Sequence, residues 1–260
     1  MRAHRMLARS SFIAFALVLT SCSHTAQTTS GAEYLAAAPQ LRISNDGFEE
    51  RLRAAAGVEP LLQFPARIGL ARIAENGCRA VLVSPPAEEG DAWLDVAERL
   101  GPDYGKFVPI SPLIAELVAP ATKQNCYHTD SARDIVGTIR LAAARQHVDV
   151  VMIYEVDATA DTRRNPLSIA NWTVIGAFIL PSRNVKAQGV AQAMLIDVRN
   201  GYPYGTIQAT ADDKTAATLF AGYEAERDLM NEVKTAAVKN LAHEAWELMG
   251  ELKRDLAQRK

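Results

Sequence analysis

Apolar residues along this chain follow two periods. Alternation, or an unbroken β-branched run, marks the strands. They are Ala66–Ile73, where Ile68, Leu70 and Ile73 partly alternate, then Arg79–Val83 and a short strand Phe107–Ile110. Four more follow: Val148–Val156 (VDVVMIYEV), Asn171–Leu180 (NWTVIGAFIL), Ala187–Val198 (AQGVAQAMLIDV) and Tyr204–Ala211. Asn76-Gly77 between the first two predicts a hairpin. The continuous apolar character of Val148–Val156 is that of a central strand buried on both faces. A helical period marks the other elements. Residues 46–56 form a short helix closed by Gly57. Ala92–Leu100, capped by Asp91, carries Trp93, Val96, Ala97 and Leu100 on one face. Ser111-Pro112 opens a short helix to Val118. Thr129 or Asp130 caps Ser131–His147, with Ile135, Ile139, Leu141, Ala142 and Ala143 at helical spacing. A long helix runs from about Ala221 to Ala257, and Val233, Ala237, Leu241, Ala245, Leu248, Leu252 and Leu256 form its stripe.

This order, mixed helices and strands, then an antiparallel meander, then one long helix, predicts an α/β (α+β) sandwich. Its sheet is mixed and largely antiparallel, covered by helices, with the C-terminal helix packing back. No internal repeat is present. Residues 1–21 read as a signal peptide, 22–45 as a flexible tether and 46–260 as one α/β domain. The Ser, Thr, Ala, Gln and Gly composition of residues 23–40 has no period, which suggests the tether.

The start of the chain has its own pattern. Arg2, Arg5 and Arg9 precede an uncharged stretch Ser10–Leu19. An apolar core of about ten residues is too short for a membrane helix, which needs roughly 20. A charged start, a short apolar core and small residues describe a secretory signal peptide. Leu19-Thr20-Ser21-Cys22 resembles the lipobox of bacterial lipoproteins. That resemblance implies cleavage between Ser21 and Cys22 and acylation of Cys22. Two or three acyl chains anchor a protein stably where one holds it only marginally. Ser23 follows the cysteine, which by similarity to enterobacterial sorting implies the periplasmic face of the outer membrane.

Charge and cysteine content sharpen this picture. Without residues 1–21 the chain holds 25 basic and 30 acidic residues. That balance solubilises the domain and gives nucleic acid no basic stripe to bind. Cys78 and Cys126 remain, and an oxidising envelope favours a disulfide between them, the alternative being two buried free thiols. The two cysteines are 48 residues apart with no His at ligand spacing, so no zinc site and no other metal site is expected.

Catalytic patterns are missing from the sequence. It contains no GxSxG, HExxH, phosphate loop or GxGxxG, so no catalytic or cofactor-binding residue and no cofactor is assigned. His128, Cys126 and Tyr127 cluster in NCYHTD, but neighbours in sequence seldom face one another as nucleophile and base. His147 ends a helix, where a cation meets the dipole favourably. Glu155 and Asp157 alternate on a strand and share a face, either as an acid pair or as a solvated strand end. Residues 161–165 (DTRRN) read as a charged hairpin tip or a contact for a partner or lipid head group. Trp172, Phe178, Tyr202 and Tyr204 offer an aromatic patch or, more simply, core.

The segment from 148 to 212 resembles the bacterial rhombotarget lipoprotein family. The matching stretches are Val148–Val151, Trp172–Ala177 and Ala193–Val198. The LIDVRNG turn is also similar to the wider group of the curli-secretion channel lipoprotein and the TolB amino-terminal domain. The resemblance implies an envelope lipoprotein and lends no catalytic activity. The expected function is therefore a non-enzymatic interaction or assembly module. Its partners would be the membrane, through the lipid, and an envelope protein or a second copy of itself. The alternatives are a subunit of an oligomeric secretion pore and a hydrolase with an unrecognised site.

Overall fold

The computed structural model describes residues 23–37, 47–76, 79–119, 131–164, 183–217 and 222–259. Among them are seven strands and six helices. These are β1 (Ser23–Ala26), α1 (Gly31–Ala37), α2 (Phe48–Ala56), β2 (Ala66–Asn76), β3 (Arg79–Val83), α3 (Ala87–Leu100) and β4 (Gly105–Pro109). They continue with α4 (Pro112–Val118), α5 (Ser131–Arg145), β5 (Val150–Arg164), β6 (Arg183–Asp197), β7 (Pro203–Ala217) and α6 (Gly222–Gln258). The fold is α+β, as the pattern predicts.

All seven strands join one sheet in the order β1-β7-β6-β5-β2-β3. β4 shares the outer edge of β2, parallel to its first half, while β3 pairs antiparallel with its second half. β2 and β5 are parallel, and the remaining pairs are antiparallel. The pairing of Asn76 with Arg79 makes β2 and β3 the predicted hairpin, whose two connecting residues lie outside the described set.

Two cores flank the sheet. On one face α6 and α3 bury Ile68, Val150, Met152, Tyr154, Leu195, Tyr204 and Ile207 against Trp93, Leu241, Leu248 and Leu252. On the other, α5 and α4 bury Ala71, Val151, Ile153 and Ile196 against Ile139, Ala142, Ala143 and Ala115. Val150–Tyr154 is buried on both sides, which is why it reads as an unbroken apolar run. The stripe on α6 faces the sheet, with Val233, Ala237, Leu241, Ala245, Leu248 and Leu252 all buried.

Three expectations need correction. α3 begins at Ala87, behind Pro86, so Asp91 lies inside the helix and not at its cap. Its first turn is drawn onto the sheet by Glu89, which pairs with Arg72 of β2. α5 ends at Arg145, and His147 takes a left-handed conformation (φ 55°) that closes the helix. The third concerns the tether. Ser23–Ala26 is a sheet strand and Gly31–Ala37 is a helix, so this stretch is built into the domain. Polar strands at a sheet edge carry little apolar period, and four residues are too few to show one.

β5, β6 and β7 are 15 residues each. β2 leaves β5 after Ile73 and Glu155, so the three strands continue alone to Arg164, Arg183 and Ala217. Residues 161–164, expected at a charged hairpin tip, are therefore the end of β5.

Candidate functional site

Cys22, Ser21, Cys78 and Cys126 lie outside the described residues, as do His128, Trp172 and Phe178. The structure instead describes the residues that follow Cys22 in the chain. Ser23, the next residue, pairs with Gln208, and β1 runs on to Ala26 opposite Gly205. His24 points to α6, where its Nδ1 lies 2.9 Å from Glu244 and its Nε2 3.3 Å from Glu251. On the opposite face Thr25 and Thr206 share a hydroxyl hydrogen bond of 2.9 Å. Gly205 permits this close approach, since a β-carbon there would run into the Thr25 carbonyl oxygen and Leu248. Beyond β1, the Gln27 amide donates to the Tyr204 carbonyl at 2.8 Å.

The segment that follows is clamped by the LIDVRNGYPYG turn between β6 and β7. Asp197 is fully buried. It accepts hydrogen bonds from the Tyr204 hydroxyl (3.1 Å), the Arg199 amide (2.9 Å) and the Arg199 guanidinium (3.3 Å). The Tyr204 hydroxyl accepts in turn from the amides of Leu61 (2.8 Å) and Leu62 (2.6 Å). Asn200 donates to the Glu59 carbonyl at 2.7 Å, and the Tyr202 hydroxyl donates to the Thr29 carbonyl at 2.7 Å. Glu59 accepts from the Ala32 amide and the Ser30 hydroxyl. Those two bonds hold its carboxyl below the usual glutamate value of 4.5, the Ala32 amide contributing most. Burial pushes the Tyr204 phenol up, and the neighbouring Asp197 charge pushes it further. The Asp197 network therefore binds backbone; it leaves no reactive group to spare.

A second buried polar cluster ties α3 to the sheet. Glu89 receives Arg72 through Nε (2.7 Å) and Nη2 (3.0 Å), and the Tyr154 hydroxyl at 3.1 Å. Burial first and the Glu89 carboxylate second raise the Tyr154 phenol. Such a bidentate pair orients an arginine. It has no nucleophile beside it.

Among the described residues no helix covers the face of the sheet away from α6 over β1, β7 and the Gln192 end of β6. One cross-strand row reads Ser23, Gln208, Gln192 and Glu155, the next Thr25, Thr206, Met194 and Ile153. An open groove of about 470 Å³ follows these rows to Val136 of α5. Strand alternation sets Glu155 and Asp157 on this side, with the Gln192 amide donating to Glu155 at 3.4 Å, while the 87% exposed Asp157 side chain lies 4.0 Å from Lys234 of α6. Hydroxyls, amides and solvated carboxylates make a hydrogen-bonding surface, with no base set against a nucleophile. His243 stacks on Trp246, and Tyr202 and Tyr204 are core. No group of His, Cys, Asp and Glu among the described residues is arranged to hold a metal. None of their helices is long and apolar enough to cross a membrane.

Sequence reading missed the Asp197 clamp and β1. The clue to the first is Asp197 itself, a carboxylate ending an apolar strand four residues before Gly201.

No family model matches the chain, and neither does any curated protein. The similarity to rhombotarget lipoproteins thus remains one of the quoted strands. Among solved structures the chain is similar to the PelC dodecamer from Paraburkholderia phytofirmans, at 13% identity and a TM-score of 0.32, over 73% of this chain and 91% of that one. It is also similar to the lipoprotein GNA1162 from Neisseria meningitidis, at 15% identity and a TM-score of 0.29, over 65% and 98%. The hypothetical protein CT253 from Chlamydia trachomatis matches at 10% identity and a TM-score of 0.24, over 74% and 95%. These are distant likenesses, too low in identity and TM-score for an activity or partner to carry over.

Proposed function

We propose that this chain is a bacterial envelope lipoprotein, anchored through acylated Cys22, that works without catalysis as a protein-interaction or assembly module. The reading places it on the periplasmic face of the outer membrane. The observation that carries it is the Leu19-Thr20-Ser21-Cys22 ending of a short apolar run. Two features support a non-catalytic role. The buried carboxylates Asp197 and Glu89 are engaged in structural pairs. The open sheet face offers hydrogen-bonding groups in ordered rows, as a docking surface does.

Metabolic labelling with an alkyne fatty acid tests the anchor. The native chain should incorporate label and fractionate with outer membranes. Cys22→Ala should lose both label and signal cleavage; a normally matured, membrane-bound Cys22→Ala protein would overturn the reading. Cross-linking in intact cells, followed by purification, then identifies the partner.

The secretion-pore reading draws on the three 15-residue strands. A barrel strand needs one apolar face free for lipid. Here the side bearing Ala158 and Ala187 is packed by Leu229 and Val233 of α6. Size in mild detergent separates the two readings, because a ring of subunits would favour the pore.

A further inference from the structure

This inference rests on acylation of Cys22. A lipoprotein usually hangs from its anchor on a flexible linker, but here the linker is absent. Ser23 is already a paired strand residue, and Cys22 is one Cα step, about 3.8 Å, from it. β1 is held by His24 to α6, by Thr25 to β7 and by the Gln27 amide to Tyr204. The chain has no slack, so the bilayer surface must lie against whatever surrounds Ser23.

Two directions lead outward from that point. Along the strands, β7 continues past Gln208 to Ala217, about 30 Å at ~3.3 Å per residue. A membrane lying across that path would take Asp212 and Asp213 into hydrocarbon. With them would go Lys186 of β6 and Asp157 of β5. Charges at that depth are strongly disfavoured. The opposite arrangement has the strands lying along the membrane, with the sheet edge towards it. That edge is β1 and, beyond Gln208, the outer side of β7 up to Ala217. No strand among the described residues pairs with that stretch of β7. Among the described residues β1 is the outermost strand on this side of the sheet, beyond it the Thr210 carbonyl accepts from Asn240 of α6, and the polar positions along this edge suit a head-group layer.

We propose that the β1–β7 edge is the lipid-facing surface of the domain, held directly on the head groups by Cys22 with the strands parallel to the membrane plane. The sheet then stands on its edge, with each successive strand about 4.8 Å further from the lipid. β2, three strands beyond β7, stands roughly 14 Å higher than β7. The polar groove on the face away from α6 then stays accessible from the periplasm.

The test uses the full-length, acylated protein in vesicles of phosphatidylethanolamine and phosphatidylglycerol carrying a head-group quencher. A fluorescent amino acid is placed by codon suppression at Gln208, Gln192, Glu155 or Glu75, one on each of β7, β6, β5 and β2. Quenching should fall in that order, several-fold from Gln208 to Glu75. A twelve-residue Gly-Ser insertion between Cys22 and Ser23 should flatten the gradient while acylation persists. Equal weak quenching at all four positions in acylated native protein, or a reversed order, overturns the edge-down arrangement and leaves the lipid anchor standing. Absence of the acyl label overturns both.

Discussion

The two faces of the sheet are built on different terms. The α6 face is mostly apolar, because the stripe of one 37-residue helix packs over β1, β7, β6 and β5, and α3 adds Trp93 and Val96 beside it. The other face is apolar only where α5 and α4 cover it, and over β6, β7 and β1 it turns to Gln, Thr and Ser. Strand alternation makes this division possible, since each residue commits to one face. The lesson is one of labour: the α6 face holds the fold together, and the part of the other face that no described helix covers is polar and adds little to the core.

Core substitutions should show the contrast most strongly. Leu248→Ala, at a fully buried stripe position, should cost about 2–5 kcal/mol in urea unfolding. Gln192→Ala on the open face should stay within about 0.5 kcal/mol. Equal losses would mean that the open face is structural.

The buried pair between α3 and β2 comes next. Glu89→Ala strands Arg72 and the Tyr154 hydroxyl, and should cost about 3–5 kcal/mol. The paired change Arg72→Met with Glu89→Met should recover much of that loss. Failure to recover would assign the cluster a role beyond packing.

The clamp on the N-terminal segment should respond more modestly. Tyr204→Phe removes the hydroxyl that receives two amides and reaches Asp197. An expected loss of about 1–3 kcal/mol should come with faster hydrogen exchange at Leu61 and Leu62. Alkali probes the same site, because the Tyr204 and Tyr154 phenols are both raised above the ordinary value of 10.0. A raised folded-state value means that the stabilisation is fully present below pH 10 and is lost as pH climbs beyond it. Denaturation midpoints measured upward from pH 9 should fall, and should fall less in Tyr204→Phe.

Acid should produce the smallest and most local effect. Glu59 titrates below its ordinary 4.5 because it receives the Ala32 amide and the Ser30 hydroxyl. Its contribution is present above that pH and fades as pH drops through the lowered value. Exchange at Ala32 should quicken in that window while Leu248 stays protected; a global response would show that the edge and the core are one cooperative unit.

Much of the architecture was legible in residue patterns. The α6 stripe, the β2–β3 hairpin and the doubly buried run in β5 each repeat a period long enough to read. Elements short of a period were not legible. β1 has only four residues, three of them polar, and the first turn of α3 is fixed by Glu89 meeting Arg72, 17 positions earlier in the chain. The ends of β5 and β7 were cut short because their charged residues belong in a turn by composition, yet the backbone stays paired with β6 to Arg164 and Ala217.

By itself the sequence determined the sheet strands of strong period, the covering helix and the candidate attachment at Cys22, because apolar spacing and a short N-terminal pattern are local properties. Tertiary structure alone decided that Asp197 is a clamp, that the polar rows of β1, β7 and β6 lie side by side and that Ser23 is already a paired strand residue. Those outcomes depend on which distant backbone reaches a side chain, and a chain encodes that only through its folded register.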